Sequence, residues 1–169
     1  QHGGVVPELA SRMHTEAIHY LIDECFNQSA LGYDDIDAVC ATTSPGLEGS
    51  LLIGATTAKT ISTIKNIPYI PVNHIHGHIY SIFIESYLGT IIRKAFPDFP
   101  FIALVVSGGH TQIYKVTKDN ILLIGNTRDD AAGEAFDKVA RVLGLDYPGG
   151  PQVENYAKKG NHGIYKLPR

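Results

Sequence analysis

Two short apolar stretches, separated by one helix-length of small residues, limit what the first half of this chain can fold into. Ile36 to Thr43 and Ile67 to Val72 read as short strands, the first rich in β-branched and small residues. Between them Leu51 to Ile64 has helical length, and its Gly54, Ala55 and Ala58 predict a helix lying close against a sheet. Ser44-Pro45-Gly46 ends the first strand and Asn66 closes the helix, while Pro68 and Pro71 push the second strand toward an edge. Upstream, Pro7 suits a first helical turn. Leu9, Met13, Ala17, Leu21 and Cys25 then recur every fourth residue, with Ile18 and Ile22 widening the stripe, so a helix is expected to about Asn27. Gly32 to Asp35 reads as a turn. A further helix opens at His74 and is expected to continue through Ile82, Phe83, Ile84 and Leu88, with Pro97 and Pro100 marking its exit loop. This alternation is the rhythm of an α/β layer.

A different rhythm follows. Phe101 to Val106 is a continuous apolar run, Gly108-Gly109 a turn, Thr111 to Val116 alternates, and Ile121 to Asn126 follows a polar turn, which together predict a small antiparallel unit. Asp129 and Asp130 precede a predicted helix from about Ala132 to Leu143, placed to favour its dipole, with Phe136, Val139, Ala140 and Leu143 on its buried face. Gly144 stops that helix. Asp146 to Pro151 reads as too rich in Gly and Pro for a regular element, and a short amphipathic helix is expected around Val153 to Lys158. The change of rhythm places a boundary near residue 95, giving lobes over 1–95 and 96–169.

With 169 residues, 44% hydrophobic and 18% charged, the chain can bury a core as one domain or two small lobes. A net charge of −3 and a pI near 6.2 exclude the overall basic balance of a self-sufficient nucleic-acid binder, so RNA handling would need a local patch or a partner. Cys25 and Cys40 sit in apolar-periodic segments and read as small buried hydrophobes in a reducing compartment. No run approaches the roughly 20 apolar residues of a membrane span, and the start does not resemble a signal peptide. The expectation is an intracellular protein, cytoplasmic or alternatively mitochondrial. Neither Gln1 nor Leu167-Pro168-Arg169 reads as a domain limit, and the chain is expected to be a piece of something longer.

Four groups of residues carry chemistry. His74 and His78, at i and i+4, share a helix face, whereas His76 lies roughly opposite. Two such imidazoles make half a metal site, although scattered surface histidines give the same spacing and no third ligand is evident. The position after His74 is Ile75, not the Glu that a His-Glu-x-x-His protease uses as its base. Ser107-Gly108-Gly109-His110-Thr111 is either a plain hairpin turn or a place where backbone amides meet a phosphate or carboxylate oxygen. Its strand-to-strand setting does not suit a serine-hydrolase elbow. Asp137 shares a helix face with Glu134 and Arg141 and, taken alone, reads as a solvated carboxylate. Gly149-Gly150 reads as a connector or a binding loop.

Taken in order, these pieces match a family. Gly-Gly-Val-Val-Pro-Glu-Leu-Ala-Ser-Arg at Gly3 to Arg12, Pro-Gly-Leu at Pro45 to Leu47, Asn-His-x-x-Gly-His at Asn73 to His78, Val-Ser-Gly-Gly-His-Thr at Val106 to Thr111 and Asp-Asp-Ala-Ala-Gly-Glu-Ala-Phe-Asp-Lys at Asp129 to Lys138, followed by Asp-Tyr-Pro-Gly-Gly-Pro, span nearly the whole chain. The sequence resembles the TsaD-type tRNA adenosine threonylcarbamoyltransferases, once called O-sialoglycoprotein endopeptidases. The resemblance implies an α/β fold of the actin, Hsp70 and sugar-kinase type (ASKHA), incomplete here: most of the first lobe without its opening strands, plus the start of the second. It implies transfer of threonylcarbamoyl from threonylcarbamoyl-AMP to N6 of adenosine 37 in tRNAs reading codons that begin with A. It further implies one divalent metal per subunit, iron or zinc, on His74 and His78, and substrate contacts at Val105, Val106, Ser107, Gly108, Gly109, Asp137 and Gly150. Beyond the metal site it assigns no catalytic residue in this chain. Implied partners are tRNA and either paralogous scaffold and ATPase subunits, as in the bacterial type, or a second copy, as in the mitochondrial type; no membrane is involved.

The chain departs from the family pattern at Ser44, where Gly usually precedes Pro-Gly-Leu, and at His76, where Glu is usual. The resemblance implies that the family's opening strand, with its Glu-Thr-Ser-Cys-Asp stretch, is to be expected before Gln1, and a metal-binding aspartate and a substrate-contacting asparagine beyond Arg169. The isolated chain is therefore expected to be inactive, to leave apolar surface around Phe101 to Val106 and Phe136 uncovered, and to self-associate or be unstable. Two alternatives accompany this reading: a related metal-dependent O-carbamoyltransferase domain and a non-catalytic scaffold paralogue. The Asp129 to Lys138 stretch disfavours the first, and retention of His74 and His78 the second.

Overall fold

The computed structural model describes residues 6–84, 97–161 and 163–165. The chain divides into two compact units, Gln1–Arg93 and Lys94–Arg169. In the first, α1 (Pro7–Ser29), β1 (Val39–Ser44), α2 (Glu48–Lys65), β2 (Tyr69–Asn73) and α3 (His74–Tyr80) follow in order. β1 and β2 pair in parallel, from Val39 opposite Tyr69 to Ser44 opposite Asn73, and α2 is the crossover between them. α2 packs on β1, buries Ala58 and ends at Asn66, whose left-handed backbone (φ 53°) turns the chain. The Ser62 hydroxyl donates to the Ile67 carbonyl at 2.6 Å and the Ile67 amide to the Ser62 carbonyl at 3.1 Å, so the turn into β2 is closed from both sides.

Several sequence expectations shift in this unit. β1 starts at Val39 rather than Ile36, because Tyr33–Asp35 form a 3-10 turn held by the Asp35 carboxylate, which accepts the Gly32 amide at 2.7 Å. Gly54 is not a close-approach position, since a Cβ there would meet nothing within 4 Å; Gly49 is, where a Cβ would fall 2.3 Å from Ser11 Oγ of α1. On α1 the every-fourth row Leu9, Met13, Leu21 and Cys25 is exposed, and Ile18, Ile22 and Phe26 form the more buried stripe. Cys25 and Cys40 are both exposed free thiols, contrary to the buried reading, because both line an open apolar groove shared by α1, β1 and Ile61 of α2. α3 stops at Tyr80 and tightens into a 3-10 turn over Ser81–Phe83, with the Ser81 hydroxyl donating to the His78 carbonyl at 2.7 Å. The expected extension of that helix to Leu88 lies outside the described residues.

The second unit holds β3 (Phe101–Val106), β4 (Thr111–Val116) and β5 (Ile121–Asn126) in an antiparallel sheet of that order, then α4 (Ala132–Val142) and α5 (Gly149–Ala157). Its core is Tyr114, Val116, Ala131 and Ala140. β3 presents Phe101, Ala103 and Val105 to the more buried side and leaves Ile102, Leu104 and Val106 more than half exposed. α4 buries Ala140 alone; Phe136, Val139 and Leu143, which the helix pattern puts on its buried face, are exposed, and exposed Phe136, like the outer face of β3, is the uncovered apolar surface also expected there. α5 begins at Gly149, so the Gly-Pro stretch expected to be irregular supplies a helical first turn, with Pro148 as N-cap and Pro151 inside that turn.

Candidate functional site

His74 and His78 occupy the first unit. Asn73 ends β2 and caps α3: its side-chain oxygen accepts the amides of Ile75 at 2.9 Å and His76 at 3.2 Å. Ile75 and Ile79, 2% and 4% exposed, root the helix in the unit and turn the histidine face outward. On that exposed face the two Nε2 atoms lie 3.1 Å apart, with ring centroids at 4.4 Å. Two nitrogens each about 2.0–2.1 Å from one tetrahedral zinc stand about 3.3 Å apart, close to this spacing, which is also that of a hydrogen bond between the two rings. No group of three metal-ligating side chains forms among the described residues.

The second unit holds the remaining carried-over positions. Val105 and Val106 end β3, and Ser107 to His110 connect it to β4. The Ser107 amide donates to the His110 carbonyl at 2.8 Å, and Ser107 Oγ accepts the His110 amide at 3.0 Å. These bonds close the turn without using Gly108 or Gly109, and a Cβ at either glycine would meet nothing within 4 Å. No contact within the described residues therefore demands glycine at those two positions.

α4 connects this turn to the rest of the set. Its N-cap is Ala131, which has no capping side chain; Asp129 and Asp130 precede it without capping it. Thr111 Oγ1 takes that role from across the sheet, accepting the Ala132 amide at 2.8 Å, while the Gly133 amide donates to the Ser107 carbonyl at 3.2 Å. Asp130 instead pairs with Lys138 at 2.5 Å, and Glu134 pairs with the same lysine at 3.1 Å. These bonds, that to Asp130 first, raise the Lys138 pKa above the ordinary lysine value. Asp137 is half-buried, not the solvated carboxylate expected from sequence: its Oδ1 accepts the Gly149 amide at 2.8 Å and anchors the start of α5. Gly150 follows on α5, with open space where its Cβ would be. Sequence reasoning gave Asn73, Thr111 and Gly133 no role of their own and took Gly149 as part of a connector or binding loop. Only Asn73 carries a local signal, an Asn directly before a helix.

The match to known proteins runs the length of the chain. The family model for TsaD, tRNA N6-adenosine threonylcarbamoyltransferase, matches residues 1–169. The chain belongs to this family. A relative of that name from Caldicellulosiruptor bescii is 52% identical over 172 residues, covering 99% of the chain and 48% of the relative. One from Kosmotoga olearia is 52% identical, covering 100% of the chain and 49% of the relative. One from Prochlorococcus marinus is 45% identical, covering 99% of the chain and 45% of the relative. The chain thus spans about half the length of these relatives. YeaZ from Pseudomonas aeruginosa superposes with a TM-score of 0.45 at 12% identity, over 72% of this chain and 54% of that one. The mixed α/β architecture and family membership agree with the ASKHA-type reading. No helix among the described residues is long and apolar enough to cross a membrane.

Proposed function

We propose that the protein carrying this chain transfers a threonylcarbamoyl group from threonylcarbamoyl-AMP to N6 of adenosine 37 in tRNAs that read codons beginning with A. The observation that carries the reading is identity of 45–52% over essentially the whole chain to relatives bearing that activity in their names. In the reaction the N6 amine attacks the carbamoyl carbon. The bond from that carbon to the phosphate oxygen breaks, AMP departs with the electron pair, and one N6 proton passes to water. His74 and His78 would hold one divalent ion, iron or zinc, and the 3.1 Å spacing of their Nε2 atoms supports the assignment. When bound, such an ion supplies Lewis-acid polarisation of the carbamoyl carbonyl.

Val105, Val106, Ser107, Gly108 and Gly109 are proposed to lie against the adenylate, whose oxygens take backbone amides of the turn. The open space over both glycines supports this role. Asp137 and Gly150 are proposed as further substrate contacts; Asp137 has one carboxylate oxygen engaged with Gly149, and its other oxygen is the one assigned to substrate. Partners are tRNA and either scaffold and ATPase subunits related to the bacterial systems or a second copy, in the cytoplasm or a mitochondrion. The related O-carbamoyltransferase and scaffold readings have no comparable support.

The test is mass spectrometry of tRNA nucleosides after incubation of the full-length protein with threonylcarbamoyl-AMP and tRNA, beside its His78→Ala variant. Modified adenosine is expected with the wild type and a loss of at least about 100-fold with the variant, since a metal ligand is removed. An inactive wild type, in the presence of its partners, overturns the transferase reading; full activity without His78 overturns the metal assignment.

A further inference from the structure

We infer that α4 is the jig that holds the two substrate-contacting segments of the second unit in register, and that Thr111, Gly133 and Gly149 are positioning residues acting through Ser107 to Gly109 and through Asp137. The inference rests on the transferase reading and adds residues to which the resemblance gives no role.

The N-terminal turn of α4 touches the glycine turn directly. The amides of Ala132 and Gly133, which a helix start leaves without intrahelical partners, bond to Thr111 Oγ1 and to the Ser107 carbonyl. Both acceptors belong to the β3–β4 hairpin, so α4 is tied to the turn by its own helix start. The approach is closer than any side chain allows: a Cβ on Gly133 would lie 2.7 Å from the Ser107 oxygen, 2.8 Å from Gly108 Cα and 2.9 Å from the Gly108 nitrogen. All three atoms are backbone of the proposed adenylate-binding turn, so they could yield only by moving that turn.

One helical turn further on, α4 presents Asp137, whose carboxylate holds the Gly149 amide. A Cβ on Gly149 would lie 2.5 Å from Ala140 Cβ and 2.8 Å from Asp137 Cα. Two glycine contacts, one at each end of the Gly133 to Ala140 span, thus set how the Ser107 to Gly109 turn stands relative to Asp137 and Gly150. Displacing a bound group by about 1 Å can cost on the order of 100-fold in rate. The same small residues that leave α4 with little buried apolar surface make it a precise spacer.

The experiment is steady-state kinetics on the full-length protein with its partners, varying threonylcarbamoyl-AMP and tRNA separately, for Gly133→Ala, Thr111→Val and Thr111→Ser. Gly133→Ala is expected to raise KM for the adenylate roughly 10- to 100-fold. Thr111→Val, which keeps the shape and removes the acceptor, is expected to raise it roughly 2- to 10-fold, and Thr111→Ser to restore it. KM for tRNA should stay within about twofold in all three, a split that a general loss of folding does not produce. Should Gly133→Ala not fold, the valine and serine pair decides alone. Unchanged adenylate KM in Thr111→Val, or equal loss for both substrates, overturns the jig while leaving the transferase reading intact. A wild type that makes no modified adenosine overturns that reading and this inference together.

Discussion

Replacing Gly149 with Ala tests the α4–α5 junction. The added methyl would sit 2.5 Å from Ala140 Cβ, 2.8 Å from Asp137 Cα and 2.9 Å from the Phe136 carbonyl oxygen, two of which are backbone atoms of α4. Relief must come from α5 moving away, which also lengthens the 2.8 Å bond from the Gly149 amide to Asp137. Overpacking of this kind costs about 1–3 kcal/mol. A weakened hydrogen bond to a charged acceptor adds about 1–2 kcal/mol. The lower chain entropy of Ala in the unfolded state returns about 0.5 kcal/mol. The net expectation is a local destabilisation of about 2–4 kcal/mol. Gly150→Ala is the internal control: its methyl enters open space on the same helix, so its effect should stay within about 0.5 kcal/mol. The assay is hydrogen exchange of the α5 amides, where opening free energy reads directly as exchange rate and each 1.4 kcal/mol is about tenfold. Gly149→Ala should speed exchange by roughly 30-fold or more, with β3 to β5 much less affected. Equal rates for the two variants would refute the close-approach argument.

Asn73→Ala removes the side-chain cap of α3 and should cost about 1 kcal/mol, read as faster exchange at Ile75 and His76, with weaker zinc or iron binding by titration calorimetry as the histidine pair loses its fixed spacing. His74→Ala and His78→Ala should each abolish the specific heat of metal binding in the full-length protein; tight binding that survives both substitutions would remove the metal from this helix. The raised Lys138 pKa sets a sign: the folded state holds that proton more tightly than the unfolded chain, so its contribution is full below the unfolded value of about 10.4 and disappears as pH rises through the higher folded value. The stability difference between wild type and Lys138→Met should therefore be flat near neutrality and shrink only in strong alkali. Asp34 runs the other way, since the hydrogen bond and charge of Lys65 lower its pKa; its contribution holds above about 3.9 and is lost as pH falls through the lower folded value, and Lys65→Met should flatten that acid limb.

Much of this protein was legible in the order of its residues. Strand composition, the small residues before Ile64, Asn66 after the helix and the alternation in Thr111 to Val116 are local signals, and each element they announce is present within a few residues. The histidine pair was equally legible, because i, i+4 spacing on a helix follows from helical geometry alone. What tertiary structure decided was which faces are covered and which residues act at a distance. The every-fourth row on α1 and the apolar face of α4 are exposed because burial depends on where neighbours stand, which periodicity does not encode. Asp137 reads as a surface carboxylate until Gly149, twelve residues away, places its amide against it. Thr111 reads as a strand residue until the fold carries the start of α4 across to its hydroxyl, 21 residues on. Gly133 looks like any other glycine and Gly149 like part of a connector or binding loop, and only the approach of a second backbone to each shows that no side chain fits there. Local physics chose the elements; the positions that align the candidate site were chosen by contacts between segments distant in sequence.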